Sequence, residues 1–223
     1  MSEINPLVKK CSCAPVIGAS KRVVITGGPG AGKTAILEIA RKHFCERISI
    51  LPEAASIIFS GGFWRHNTLP AKKAAQRAIF HIQKELEQLV EEEQQTNVAL
   101  CDRGTLDSLA YWPGDEKLFW KEVGSSKEIE LSRYAVVIHL RTPPIEQGYN
   151  HQNPVRTESA EQAAEIDKRI AVAWQDHPRR FFVDSHLDFL EKVNQAMTLI
   201  KNELPDCCQK HPLGDGKNVG CEQ

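Results

Sequence analysis

Eight consecutive residues have the types and spacing to hold a polyphosphate. Gly27-Gly28-Pro29-Gly30-Ala31-Gly32-Lys33-Thr34 fits the pattern GxxxxGK[ST] at every fixed position. Glycines at these places let the backbone turn its N–H groups inward around phosphate oxygens, and a helix starting at the lysine adds positive partial charge. The Lys33 ammonium can neutralise charge on β- and γ-phosphates, and the Thr34 hydroxyl can take a place on Mg²⁺. Gly28, Pro29, Gly30, Ala31, Gly32, Lys33, Thr34 and Ala35 are therefore the expected nucleotide-binding residues. The position suits the pattern, because the apolar run Val23-Val24-Ile25-Thr26 precedes it and a helical pattern follows.

Phosphate loops serve switches, motors and small-molecule kinases, so other residues must decide between them. The chain carries no [NT]KxD motif for reading guanine, which argues against a guanine-specific switch. The strand Val98-Ala99-Leu100-Cys101 ends in Asp102-Arg103-Gly104, with no adjacent Glu to polarise a water. Asp102 is a candidate Mg²⁺ ligand with Thr34, or else a helix cap or partner of Arg103. Arg103 is the candidate substrate clamp. Glu53 closes the strand Ile48–Leu51, where a carboxylate could take the proton of a substrate hydroxyl. Its alternative role is a favourable charge at the next helix's N-terminus.

Residues 145–180 hold Arg156, Lys168, Arg169, Arg179 and Arg180. Arginines closing over a transferring phosphoryl group stabilise its charge and exclude water. Arg156 follows Asn153-Pro154 in a non-helical stretch and is the candidate lid arginine. The other possibility is a solvated basic face. The four tryptophans, and Gln76 with Phe80 one helical turn apart, could line an acceptor pocket or simply pack.

The elements that must position these residues alternate strand and helix. Further strands are expected at Tyr134–Leu140 and Arg180–Val183. Helices are expected from Lys33 to about Arg47, from Pro70 to Glu93, from Ala160 to Trp174, and from about His186 to Leu204. The run Glu91-Glu92-Glu93 reads as a solvated helix end. The alternation implies an α/β fold, a mostly parallel sheet covered on both faces. The organisation read is a flexible arm over 1–20, one domain over 21–205 with a lid-like insertion near 145–180, and a flexible tail over 206–223.

Composition sets the outer bounds. With 223 residues, 28 Lys+Arg against 29 Asp+Glu and a net charge of −1, the chain is not a basic nucleic-acid coat. It shows no apolar run long enough to span a membrane and no leader-like start, so the expectation is a cytoplasmic protein that binds neither membrane nor nucleic acid. Of seven cysteines, Cys45 and Cys101 sit in apolar segments and are expected to be buried. Cys11, Cys13, Cys207, Cys208 and Cys221 are read as reduced surface thiols, because their spacing lacks paired metal-ligand motifs.

Together these stretches resemble one family. VVITGGPGAGKT, LPEAAS, CDRGTLDSLAYWP, VIHLRTPP and NPVRTESAEQAAEIDKRIAVAWQDHPRRFFVDS are similar to the AAA-type P-loop domain shared by the ribosylnicotinamide kinase domain of NadR and the TRPL translocation defect protein. The resemblance covers about residues 21–200. The stretch from Asp102 to Tyr111 also looks like the DRxxxxSxAY of thymidylate kinases, and strand two ends as in deoxynucleoside kinases, where a Glu is the base. The resemblance implies a three-layer P-loop NTPase fold with five parallel strands in the order 2-3-1-4-5. It implies ATP and Mg²⁺ as cofactors and a kinase-like site at Lys33, Thr34, Glu53, Asp102, Arg103 and Arg156. The expected activity is phosphoryl transfer from ATP to a small hydroxyl-bearing metabolite such as a nucleoside. The rival is an ATPase or switch acting on a protein partner.

Overall fold

Five short, largely apolar runs build one parallel sheet. The computed structural model describes residues 18–143, 159–184 and 188–209. Its strands are β1 (Lys21–Thr26), β2 (Ile48–Leu51), β3 (Val98–Asp102), β4 (Val136–Leu140) and β5 (Arg180–Val183). All neighbours are parallel, in the order β2-β3-β1-β4-β5, as expected. Successive strand residues face opposite sides, so both sides must be apolar in a sheet covered twice. Val23, Ile25, Leu100 and Ile138 pack under α1 (Lys33–His43) and α8 (Phe189–Lys201). Val24, Ala99, Cys101 and Val137 pack under α3 (Leu69–Glu93), α4 (Asp107–Tyr111), α5 (Glu116–Val123) and α7 (Ala160–Ala173).

Register fixes what meets at the carboxyl ends. Ile25 pairs with Asp102, and Thr26 pairs with His139. The phosphate loop after β1 thus lies between the ends of β3 and β4, at the crevice where ligands bind in open α/β sheets.

Several boundaries differ from the sequence reading. Helix α1 stops at His43 because Phe44 turns extended. Strand β4 starts at Val136, since the Tyr134 N–H still bonds back to the Leu131 carbonyl. Helix α8 starts at Phe189, where the Asp188 carboxylate accepts the Glu191 N–H at 2.8 Å. Four short helices were not anticipated: α2 (Ala54–Ser60), α4, α5 and α6 (Lys127–Ser132). Asp115 and Ser126 cap two of them through side-chain oxygens. Residues 206–209 of the expected tail form a turn of helix, α9 (Asp206–Gln209), and Cys208 is buried rather than a surface thiol. Its Sγ lies 4.0 Å from that of Cys45, which is half-buried. Residues 1–17 of the arm and 210–223 of the tail lie outside the described residues. Among the described residues, no helix is long and apolar enough to cross a membrane.

A buried polar network ties the back of the sheet to the loop after β3. Glu87 of α3 is buried and accepts from the Tyr134 hydroxyl at 2.8 Å and from Arg133 Nη2 at 2.5 Å. Tyr134 in turn accepts the Thr105 N–H at 2.9 Å, two residues beyond Arg103. Glu91, expected to be merely solvated, is half-buried and pairs with Arg22. Removing one partner of a buried ionic network leaves the other uncompensated. Glu87→Ala is expected to lower unfolding free energy by about 3–5 kcal/mol in urea titration. A loss below about 1 kcal/mol would show that the network is not holding the loop.

Candidate active site

The phosphate loop is shaped by glycines and held by its neighbours. Gly30 and Gly32 adopt φ of 82° and 93°, a region that strains side-chain-bearing residues. Gly32 caps α1 without a side chain, and the first turn holds no acid. The first-turn amides therefore face the crevice as an uncompensated positive end. Lys33 is buried, and its Nζ donates to the carbonyls of Gly27 at 2.9 Å and Gly28 at 3.0 Å. Burial first, then the charge of Arg103, lowers its pKa to about 8. Thr34 is exposed and Ala35 half-buried at the start of the helix.

Asp102 ends β3 beside this loop. One of its carboxylate oxygens, Oδ1, is buried with no hydrogen-bond partner. Burial raises its pKa to about 6, against the pull of the nearby Lys33 charge. A buried carboxylate oxygen without a donor is suited to a cation. Among the described residues, no three His, Cys, Asp or Glu side chains group as a metal site. One carboxylate and one hydroxyl beside a phosphate loop is still the donor set of a Mg²⁺ that takes its other ligands from phosphate and water.

Glu53 and Arg103 form an ion pair in the same crevice. Glu53 is the N-cap residue of α2, and its Oε2 accepts from Ser56 Oγ at 2.6 Å. Its Oε1 accepts from Arg103 Nε at 2.6 Å. Burial alone would raise the Glu53 pKa. The charge of Arg103 and the bonds from Ser56 and Arg103 outweigh it and hold the pKa at about 2. Arg103 has φ 73°, uncommon for a non-glycine residue. Its Nη1 also donates to the Gly27 carbonyl at 3.3 Å and lies 3.5 Å from Asp107.

Three residues that shape the crevice were not singled out from the sequence. Asp107 is buried and accepts from the Thr26 hydroxyl, from the Gly104 N–H at 2.9 Å and from Trp174 Nε1 at 3.3 Å. It thereby braces the turn that carries Arg103. His139 is fully buried, and its Nε2 is 2.9 Å from Asp167 Oδ1. Asp167, on α7, accepts the Gly28 N–H at 2.8 Å. These hydrogen bonds outweigh its burial and hold its pKa below the usual carboxylate range. The signals were an ionisable residue inside an apolar strand, and an acid on the stripe Ala163, Asp167, Ile170 that α7 buries.

Other expected contributors go elsewhere. Phe80 is core, edge-on to Phe119, and Trp112, Trp120 and Trp174 are buried in packing, while Trp64 is exposed. Arg169 donates to the Trp112 carbonyl, Arg179 pairs with Glu203, Arg180 donates to the Ala171 carbonyl, and Lys168 is exposed. Arg156 lies outside the described residues, as do 145–158 of the expected lid.

The family described as AAA domain matches residues 22–192. The chain belongs to it. This AAA domain has no match among curated proteins. Among solved structures, it resembles thymidylate kinase from Candida albicans, with 13% identity, TM-score 0.56, and 82% of this chain covering 92% of that one. It also resembles NadR, solved with NAD and AMP-PNP, with 15% identity, TM-score 0.57 and 89% of this chain covered. The domain spans 52% of NadR's length. At such identities the likeness is one of fold, and the parallel sheet in the order β2-β3-β1-β4-β5 has a P-loop NTPase-like architecture.

Proposed function

We propose that this AAA domain transfers the γ-phosphoryl group of ATP to a hydroxyl of a small metabolite, with a nucleoside as the leading acceptor. The observation that carries the reading is the company kept by the phosphate loop. Asp102 is followed by Arg103 rather than by a water-polarising Glu, and a carboxylate facing the crevice, Glu53, comes from the turn after β2 and is already paired with that arginine. A base beside an arginine suits an acceptor that brings both a hydroxyl and a polar group to bind. The solved nucleotide kinase and NadR folds agree with such chemistry.

The roles follow from chemistry. The loop amides from Gly30 to Ala35 and the Lys33 ammonium hold the phosphates. Bound Mg²⁺ would neutralise β- and γ-phosphate charge, with Thr34 and Asp102 as its protein ligands. Arg103 binds the acceptor, which frees Glu53 to accept the hydroxyl proton. Arg156 enters from the sequence alone, as the arginine for charge on the transferred group. The test is ADP formation with and without a panel of nucleosides. One nucleoside should raise it strongly, and an acceptor-independent rate would overturn the reading.

Asp102 gives a pH prediction. A proton on its carboxylate removes a Mg²⁺ ligand, and its pKa of about 6 sets where this happens. Wild type should bind Mg²⁺·ATP more tightly than Asp102→Asn above pH 6, and the gap should close as pH falls below 6. Comparing the two proteins by calorimetry cancels protonation of ATP itself. A gap that is the same at pH 5 and pH 8 would remove Asp102 from the metal site.

A further inference from the structure

Helix α7 is fastened to the phosphate loop. Asp167 Oδ1 accepts the Gly28 N–H at 2.8 Å and lies 2.9 Å from His139 Nε2. Its other oxygen is 3.7 Å from Arg141 Nη1. A carboxylate can only accept here, so His139 donates from Nε2. The fit is close: a Cβ on Gly28 would stand 2.8 Å from the Ala163 carbonyl oxygen and 2.9 Å from Asp167 Cβ. Gly27 is equally confined, since a Cβ there would run into the Leu140 carbonyl at the end of β4. The entrance of the loop is thus wedged between β4 and α7, and one buried carboxylate links all three.

We propose that Asp167 is a positioning residue for ATP binding, acting through Gly28, with His139 orienting its carboxylate. The proposal rests on the reading of Gly27–Thr34 as the ATP site. Of the loop's amides, Gly28 N–H is committed to Asp167, and this sets the direction in which the chain enters the turn at Gly30 and Gly32. Without that bond the turn must be ordered by ATP itself, at a cost to affinity. Asp167 is separated from Gly28 by 139 residues, so the bond also ties α7 to the nucleotide site.

The experiment is calorimetric titration of the full chain with Mg²⁺ and a non-hydrolysable ATP analogue. Asp167→Ala should raise Kd about tenfold, the worth of one charge-assisted hydrogen bond. Asp167→Asn keeps an oxygen for Gly28 and should restore Kd to within about threefold. Ile170→Ala, which empties core space on the same helix without touching Gly28, should lose stability but keep wild-type Kd. A merely structural role predicts instead that Kd follows melting temperature in all three variants, and that pattern overturns the proposal. So does an Asp167→Ala Kd within twofold of wild type. If Asp167→Ala does not fold, Asp167→Glu carries the test: a displaced carboxylate should raise Kd, and an unchanged Kd overturns the proposal. Wild type that fails to bind the analogue overturns the ATP-site reading and the proposal with it. Wild type that binds beside an Asp167 variant that binds equally overturns the proposal alone.

Discussion

Lys33→Met is expected to abolish ATP binding without lowering the melting temperature of the protein measured alone. The two halves have one cause. The ammonium is buried, and burial lowers its pKa from 10.5 to about 8. A lowered lysine pKa means that the folded state holds fewer protons than the unfolded chain between pH 8 and 10.5. Stability therefore rises across that window, and the penalty for the charged group is fully present below pH 8. It amounts to about 3 kcal/mol at neutral pH. Methionine removes the penalty and fills much of the same volume. Wild type at a hundredfold excess of ATP over Kd should gain about 2.7 kcal/mol, a shift of several degrees. Lys33→Met should show no such shift. An ATP-dependent shift in the variant equal to wild type would contradict the phosphate-loop assignment.

Glu53→Gln should lower the rate of transfer by roughly 10²–10⁴-fold while ATP Kd changes little. The Gln side chain keeps the size of Glu53 but cannot take a proton. With a pKa near 2, Glu53 is ionised throughout the working pH range but is a weak base while Arg103 holds it. Its basicity rises when the guanidinium turns to the acceptor, which couples acceptor binding to activation of the base. The acid limb of the rate profile should accordingly fall near pH 6, where Asp102 titrates, and not near Glu53's own pKa. Because the variant removes one of the two carboxylates paired with Arg103, melting temperature should be measured alongside. A rate equal to wild type would return Glu53 to its role as helix cap.

Much of this was legible in the chain. The five strands, the phosphate loop and the placing of Asp102 and Glu53 follow from local patterns, because a buried strand, a glycine turn and a helix start are each written in a few adjacent residues, whereas the strand order comes from the family resemblance. What was not legible depends on distant partners. Glu53 and Arg103 are 50 residues apart, and nothing in either stretch shows that they pair. Asp107 reads as one more polar residue until Trp174 and Thr26 are brought onto it. Phe80 and Trp112 carry the same apolar signal whether they line a pocket or fill a core, and the sheet's second layer of helices decides for the core. The helices α4, α5 and α6 are five to eight residues long, too short for a periodic pattern, although the caps at Asp115 and Ser126 were there to be read.

The central claim is that the γ-phosphoryl group leaves ATP for a small hydroxyl. It is tested most directly by following labelled γ-phosphate through a reaction with Mg²⁺·ATP and a mixture of nucleosides, with products separated and weighed by mass spectrometry. The account predicts label on one nucleoside, formed in step with ADP, and lost in Glu53→Gln. Label found only in inorganic phosphate, at a rate indifferent to every nucleoside, would contradict it.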